Sequence, residues 1–338
     1  MRLCHLNLGN KMRDISRILP DFLFGFNAYF PEDIEFLASL GAPSAEPNPK
    51  LIIDFFGMLI DPDYEPNHKP RRGEVIKKVP FPTDTILSEG IEYAALAQSL
   101  LHADQSFDLI ELGAGWGPWI SRAVICARRL QKTRIAICAV EADPARFGAL
   151  RRHLALNRIL PEAASNEGIE GDLEWHLHNA IAWVDAKGAS WPLGGLGDAG
   201  RRASRFQKRF PLDWRAKGKR ENFIPLDSIP LADLIQRHQK VDLLHMDVQG
   251  TEVDLIASAL ASLNQKVRLL FVGTHSRLIE GQICAILLAE GWALLREEPC
   301  LLRAGTGSGI LEEMTVRDGG QLWVNPRLVS NYKISQRL

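Results

Sequence analysis

Glycines occupy every second position at Gly113, Gly115 and Gly117, directly after the apolar run Phe107–Leu112 and just before an apolar, helix-like stretch from Trp119 to Leu130. That order reads as a buried strand, a tight turn and the N-terminus of a helix. It commits the chain to an α/β unit. Glycines at such a turn allow a bulky polar ligand to approach bare backbone.

The spacing narrows the ligand. A dinucleotide turn requires Gly-x-Gly-x-x-Gly, whose last glycine packs helix on strand. Here that place is held by Pro118, and Glu111 stands two residues before the first glycine. A carboxylate beside a pyrophosphate would be repelled. A carboxylate suits a ligand with ammonium or sulfonium charge and ribose hydroxyls, most simply S-adenosylmethionine. The competing reading is a tight strand-to-helix turn of an ordinary α/β protein.

Composition sets the class. The 338 residues are 46% hydrophobic, enough for one large domain or a domain with an appendage. The 40 basic and 41 acidic residues nearly cancel, so no global field recruits nucleic acid or an anionic membrane. Cys4, Cys126, Cys138, Cys284 and Cys300 are scattered without a Cys-x-x-Cys pair, as expected of reduced thiols. No apolar run reaches about 18 residues, and the first residues lack a signal-peptide core. A cytoplasmic enzyme without a membrane span is expected.

Residues 1–85 read as an N-terminal appendage, with a short helix over Asp33–Leu40, a strand or buried segment over Leu51–Ile60, and prolines at 62, 66, 70, 80 and 82. Residues 86–338 form the main domain. A helix is expected over Ile86–Leu101. Strands follow over Phe107–Leu112, Arg134–Glu141, Leu173–Ala180, Val241–Asp247 and Arg268–Thr274. An antiparallel pair is expected over Ala293–Arg296 and Gln321–Asn325. Between them lie helices opened by Asp143-Pro144, by a capping-box-like Thr251-x-x-Asp254, and over Leu231–His238 and Ile279–Glu290. Such alternation implies a parallel sheet with helices on both faces. A basic insertion, at about 186–222, is too long for an ordinary connection. It reads either as a solvated insertion or as a lid for an acidic acceptor.

Ligands of open parallel sheets sit outside the carboxyl ends of the strands. Those ends deliver Glu111, Glu141, Asp247 and Thr274-His275-Ser276. Three acids at three strand ends are costly unless something cationic or hydroxyl-rich lies among them. Glu141 suits a ribose, since a carboxylate accepts two hydroxyl hydrogens. Asp247 is a site candidate at a strand tip, and His275 is the visible candidate for a general base, with an ordinary pKa near ~6.5. His245 reads as a core histidine with a hydrogen-bonded partner. Trp116 and Trp119 either cover the ligand or pack the helix start. His176 and His178 alternate along a strand, and no metal is expected.

Phe107–Trp119, Ala139–Pro144, Val241–Glu252 and Val272–Arg277 together resemble the FkbM family of S-adenosylmethionine-dependent methyltransferases, over about residues 86–325. The resemblance implies a Rossmann-like class I methyltransferase fold, with seven mostly parallel strands and one antiparallel strand near the end. It implies methyl transfer to oxygen on a sugar, glycan or other secondary metabolite. Cofactor contacts would come from Glu111, Gly113, Gly115, Trp116 and Glu141, with Asp247 beside the methyl donor and Asn179 toward the adenine. Asp84 and Glu89, in a loosely matching stretch, would face the amino acid end. Gln249 departs from the Lys or Glu usual there. Two other readings stay open: a nicotinamide-dependent oxidoreductase, disfavoured by Pro118 and the lack of Tyr-x-x-x-Lys, and a non-catalytic binding module.

Overall fold

The computed structural model describes residues 28–42, 46–86, 88–192, 223–303 and 314–332. Its centre is an eight-stranded sheet: β1 (Ser106–Leu112), β2 (Arg134–Glu141), β3 (Glu167–Glu170), β4 (Leu173–Asn179), β5 (Val241–Met246), β6 (Val267–Thr274), β7 (Ala293–Glu298) and β8 (Gly319–Val324). The spatial order is β7-β8-β6-β5-β1-β2-β4-β3. From β6 through β5, β1 and β2 to β4 every pairing is parallel. β8 runs antiparallel between β6 and β7, as the terminal pair in the sequence suggested. The seven expected strands are present with boundaries shifted by a few residues. The eighth, β3, is a short antiparallel edge strand on β4. Its sequence, Glu-Gly-Ile-Glu, carries no pattern of its own, and only its neighbour makes it a strand.

Helices cover both faces, which is why the inner strands read as unbroken apolar runs. On one face pack α1 (Pro31–Ser39), α2 (Gly90–His102), α3 (Pro118–Arg129) and α4 (Pro144–Leu156). On the other lie α5 (Leu231–Gln236), α6 (Glu252–Lys266) and α7 (Arg277–Ala289). The caps follow local chemistry. Asp143 accepts from the Ala145 and Arg146 N–H groups, Pro144 opens α4, and Ser276 caps α7. Gly291, at φ +73°, terminates α7.

Two local expectations fail for identifiable reasons. Thr251 makes no side-chain cap bond, so the capping box at α6 does not form. Glu252 instead accepts the Gly250 N–H. The helix expected from Ile86 begins only at Gly90, because Asp84 gathers the Ile86 and Ser88 N–H groups into a turn. The residues at Leu51–Ile60 form a hairpin of two-residue strands, Ile52–Ile53 and Leu59–Ile60. The basic residues expected at 201–220 lie outside the described residues.

Buried ion pairs tie the early residues to the sheet domain. Arg122 of α3 is wholly buried, 3.1 Å from Asp54 and 2.8 Å from Asp84, with its guanidinium over the Tyr93 and Trp119 rings. Arg296 of β7 meets Asp33 at 2.8 Å, both buried, and Gln98 also donates to Asp33. Charges removed from water persist only when paired this closely.

The chain passes from β1 to β2 on one side and returns to β5 on the other, so strand order reverses between β1 and β5. There Asp247 N donates to Leu112 O, and a Cβ on Gly113 would fall 1.9 Å from the Asp247 carbonyl oxygen. Gly113 also has φ +79°. Gly113→Ala is therefore expected to lower stability by more than the roughly 1–2 kcal/mol of a left-handed alanine, read by denaturant titration. Arg122→Met strands two buried carboxylates and is expected to cost about 3–5 kcal/mol in the same measurement.

Candidate active site

At the carboxyl rim above the β1–β5 reversal lies a hollow of about 440 Å³. That is within the range of about 300–1,000 Å³ usual for small-molecule sites. Glu111, Gly113, Gly115, Trp116, Glu141, Asp247 and His275 all line it. The strands bring these residues together because each ends at the same rim. Glu111 pairs across to Ala139 and His245, and Leu112 to Val140 and Met246.

Each acid has a distinct environment. Glu111 is buried, and its Oε2 accepts the Ile120 N–H at 3.1 Å from the first turn of α3. Burial pushes its carboxyl up to about 8. Glu141 accepts from Gly115 N on Oε2 and from Asp143 N on Oε1, both at 2.7 Å. Burial pushes it up to about 7, against those two donors. One N–H on each oxygen leaves acceptor capacity for hydroxyls. Asp247 is different: 44% of its side chain is exposed to the hollow. Desolvation opposes its ionisation, but the hydrogen bond and charge of His275, with His245 and Gln249, together hold the carboxyl below its ordinary value.

His275 sits between Asp247 (Nε2 to Oδ1, 3.1 Å) and Glu252 (Nδ1 to Oε1, 2.9 Å). Burial works against the charge, yet the two carboxylates raise the imidazole to about 10. The sequence offers His275 either as a general base or in a structural hydrogen-bonding role, and here its ring is held between two carboxylates. The raised value favours the doubly protonated ring. His245 is buried as expected and stacks on Phe271 with centroids 4.8 Å apart. It also faces the hollow, 3.6 Å from Glu92, and neither ring nitrogen has a hydrogen-bond partner.

The tryptophans divide. The Trp116 ring stacks on Tyr64 (5.3 Å) and meets His153 edge-on (4.8 Å), so it packs the back of the loop. Trp119 Nε1 donates to Glu92 at the wall of the hollow. Asn179 is not among the lining residues. Its amide donates to the Glu141 and Ala142 carbonyls and so braces the loop after β2. Asp84 is committed to Arg122 and Tyr93, away from the rim, whereas Glu89 does line the hollow.

Several lining residues escaped sequence reasoning: Glu92, Arg146, Trp191, Glu298, Arg317 and Asp318. Glu92 had a local signal, since it forms a capping box with Glu89 at the start of α2. Glu298, Arg317 and Asp318 had none, because the β7–β8 pairing and the short ladder between Leu301–Leu302 and Thr315–Arg317 carry them to the rim. Arg317 and Glu298 pair there at 2.8 Å. The described cysteines, Cys126, Cys138, Cys284 and Cys300, are free thiols. No helix among the described residues is long and apolar enough to cross a membrane.

Comparison with known proteins agrees with this geometry. The family described as "Methyltransferase FkbM domain" matches residues 113–288. A protein of Jannaschia sp. (strain CCS1), named "Putative methyltransferase", is 30% identical over 263 residues, covering 77% of this chain and 88% of its own. Among solved structures, the methyltransferase FkbM from Methylobacillus flagellatus KT aligns at 13% identity with a TM-score of 0.39. The alignment covers 70% of this chain and 54% of that one. The precorrin-6y C5,15-methyltransferase from Geobacter metallireducens GS-15 aligns at 10% identity and TM-score 0.37, covering 70% and 88%. With the family match spanning more than half of the residues and the 30% identical relative covering most of the chain, the chain belongs to the FkbM methyltransferase family.

Proposed function

We propose that this protein transfers a methyl group from S-adenosylmethionine to a hydroxyl of a sugar, glycan or other secondary metabolite. The observation that carries the reading is the meeting of Glu111, Glu141 and Asp247 in one hollow around the Gly113–Gly117 turn. Burial leaves Glu111 and Glu141 above their ordinary pKa values, a state relieved by a ligand bringing positive charge and hydroxyl donors. A diphosphate would meet the same carboxylates as repulsion, which disfavours a nicotinamide cofactor.

When bound, the donor supplies an electrophilic methyl on a cationic sulfur. The chain's own residues do the rest. Glu141 accepts the ribose hydroxyls. The glycine turn lets the ligand lie against backbone, since Gly115 presents no side chain. Glu111, at the floor, favours the positively charged end. Asp247 lies open to the hollow, where it holds the acceptor hydroxyl and takes up its proton on a carboxylate oxygen. Orientation supplies most of the acceleration; fixed geometry is worth about 7–11 kcal/mol in favourable cases. The acceptor enters over the β6–β8 half, past His275 and Asp318.

Calorimetry with S-adenosylhomocysteine tests the reading. Micromolar binding is expected, weakened at least about tenfold, or ~1.4 kcal/mol, by Glu141→Ala. Absence of heat at high ligand concentration overturns it. Binding should also depend on pH. Glu141 must be ionised to accept two hydroxyls, so affinity is expected to fall as pH drops through about 7. Protons are then released on binding, seen as a buffer-dependent heat. Transfer of labelled methyl into fractions of a cell extract identifies the acceptor class.

A further inference from the structure

Behind the open face of Asp247 stands a second, closed layer. Gln249 and Gly250 adopt φ +62° and +102°, folding the chain back after β5 so that α6 starts at Glu252. The Glu252 carboxyl is thereby fully buried. Its Oε1 accepts from Gly250 N at 2.8 Å and lies 2.9 Å from His275 Nδ1. The other imidazole nitrogen, Nε2, lies 3.1 Å from Asp247 Oδ1. A carboxylate accepts and never donates, so a ring hydrogen-bonded to carboxylates through both nitrogens must donate from both. With Glu252 and Asp247 both ionised, this geometry makes His275 an imidazolium.

We propose that Glu252 is a positioning residue: it holds His275 doubly protonated, and His275 in turn fixes Asp247 as an oriented carboxylate facing the reacting groups. The relay runs Glu252, His275, Asp247, from the interior to the hollow. Gln249 Nε2 adds a second donor to the same Asp247 oxygen at 3.2 Å. Gly273 completes the seat, because a Cβ there would lie 3.2 Å from Asp247 Cγ. Gln249 and His275 both meet Asp247 at Oδ1, which leaves Oδ2 outside the network among the described residues. The remaining charged group facing the imidazole is Asp318, just before β8, at 3.9 Å from Nε2. Beyond it the Arg317–Glu298 pair closes on itself. Glu252 touches neither donor nor acceptor, so it acts only through His275.

The proposal rests on Asp247 being the group beside the transferred methyl, and its test does not need an acceptor. The full chain is labelled with ¹⁵N-histidine and ¹³C-aspartate, and the His275 and Asp247 signals are assigned with His275→Gln and Asp247→Asn. In the native protein the His275 ring is expected to stay doubly protonated throughout pH 5 to about 9. In Glu252→Gln its pKa is expected to fall by at least about one unit, with the Asp247 carboxyl pKa rising in step. Glu252→Asp restores part of both shifts. A merely structural Glu252 would change the melting temperature and leave these two titrations alone. Native His275 titrating near ~6.5, or unchanged titrations in Glu252→Gln, overturns the relay. Should Glu252→Gln fail to fold, the native titration and that of Asp247→Asn decide, since the relay requires His275 to lose its raised value there too. S-adenosylhomocysteine binding by Glu252→Gln is expected within about threefold of native. A failure of the native protein to bind that ligand would sink the proposed function while leaving the histidine titration readable.

Discussion

The close approach of two loops fixes everything else at the rim. Gly113 leaves β1 in a left-handed conformation, and the Asp247 carbonyl occupies the space any side chain at 113 would fill. The Asp247 N–H donates to the Leu112 carbonyl at the same crossing. One contact thus sets the glycine turn, the exit of β5 and the direction of the Asp247 side chain. Gly117 repeats the device one turn later, since a Cβ there would lie 2.3 Å from Leu150 Cδ1. That spacing seats α3 against α4, and α3 then presents its first-turn N–H to Glu111. The loop is a mechanical joint before it is a ligand cradle.

Around that joint the protein gathers three carboxyl groups from three strand ends. Glu111 and Glu141 keep raised pKa values through burial, while Asp247 stays ionised because His275 stands behind it. The linkage has a sign. A carboxyl with a raised folded pKa, or an imidazole raised likewise, favours the fold fully only below its unfolded pKa. That contribution fades as pH rises through the folded value. For Glu141 the window ends at about 7 and for His275 at about 10. A ligand that brings positive charge removes the strain at Glu111 and Glu141, so binding strength is drawn from the cost of keeping the site empty.

The early residues enter this economy from outside the sheet. Asp54 and Asp84 meet on Arg122, which lies one turn into α3, and Tyr93 donates to the same Asp84. Asp33 joins Arg296 across 263 positions of sequence. These pairs clamp α2 and α3 and so steady Glu92, Trp119 and the floor of the hollow. Nothing in the local sequence distinguishes Asp84 from Glu89, yet one is spent on Arg122 and the other lines the cavity.

What the chain declared by itself was everything governed by near neighbours. Apolar runs marked β1, β2, β5 and β6; Asp143-Pro144 marked the start of α4; the alternating glycines after Glu111 marked the turn. The four motifs also carried the family resemblance that the comparisons then supported. Tertiary structure alone decided the rest. It made Glu167–Glu170 a strand, turned Asn179 to brace a loop, and brought Glu298, Arg317 and Asp318 to the rim. Above all it placed His275 between Glu252 and Asp247. Short-range patterns are written in consecutive residues, whereas a pKa depends on which charges folding brings within a few ångströms, whatever their separation along the chain.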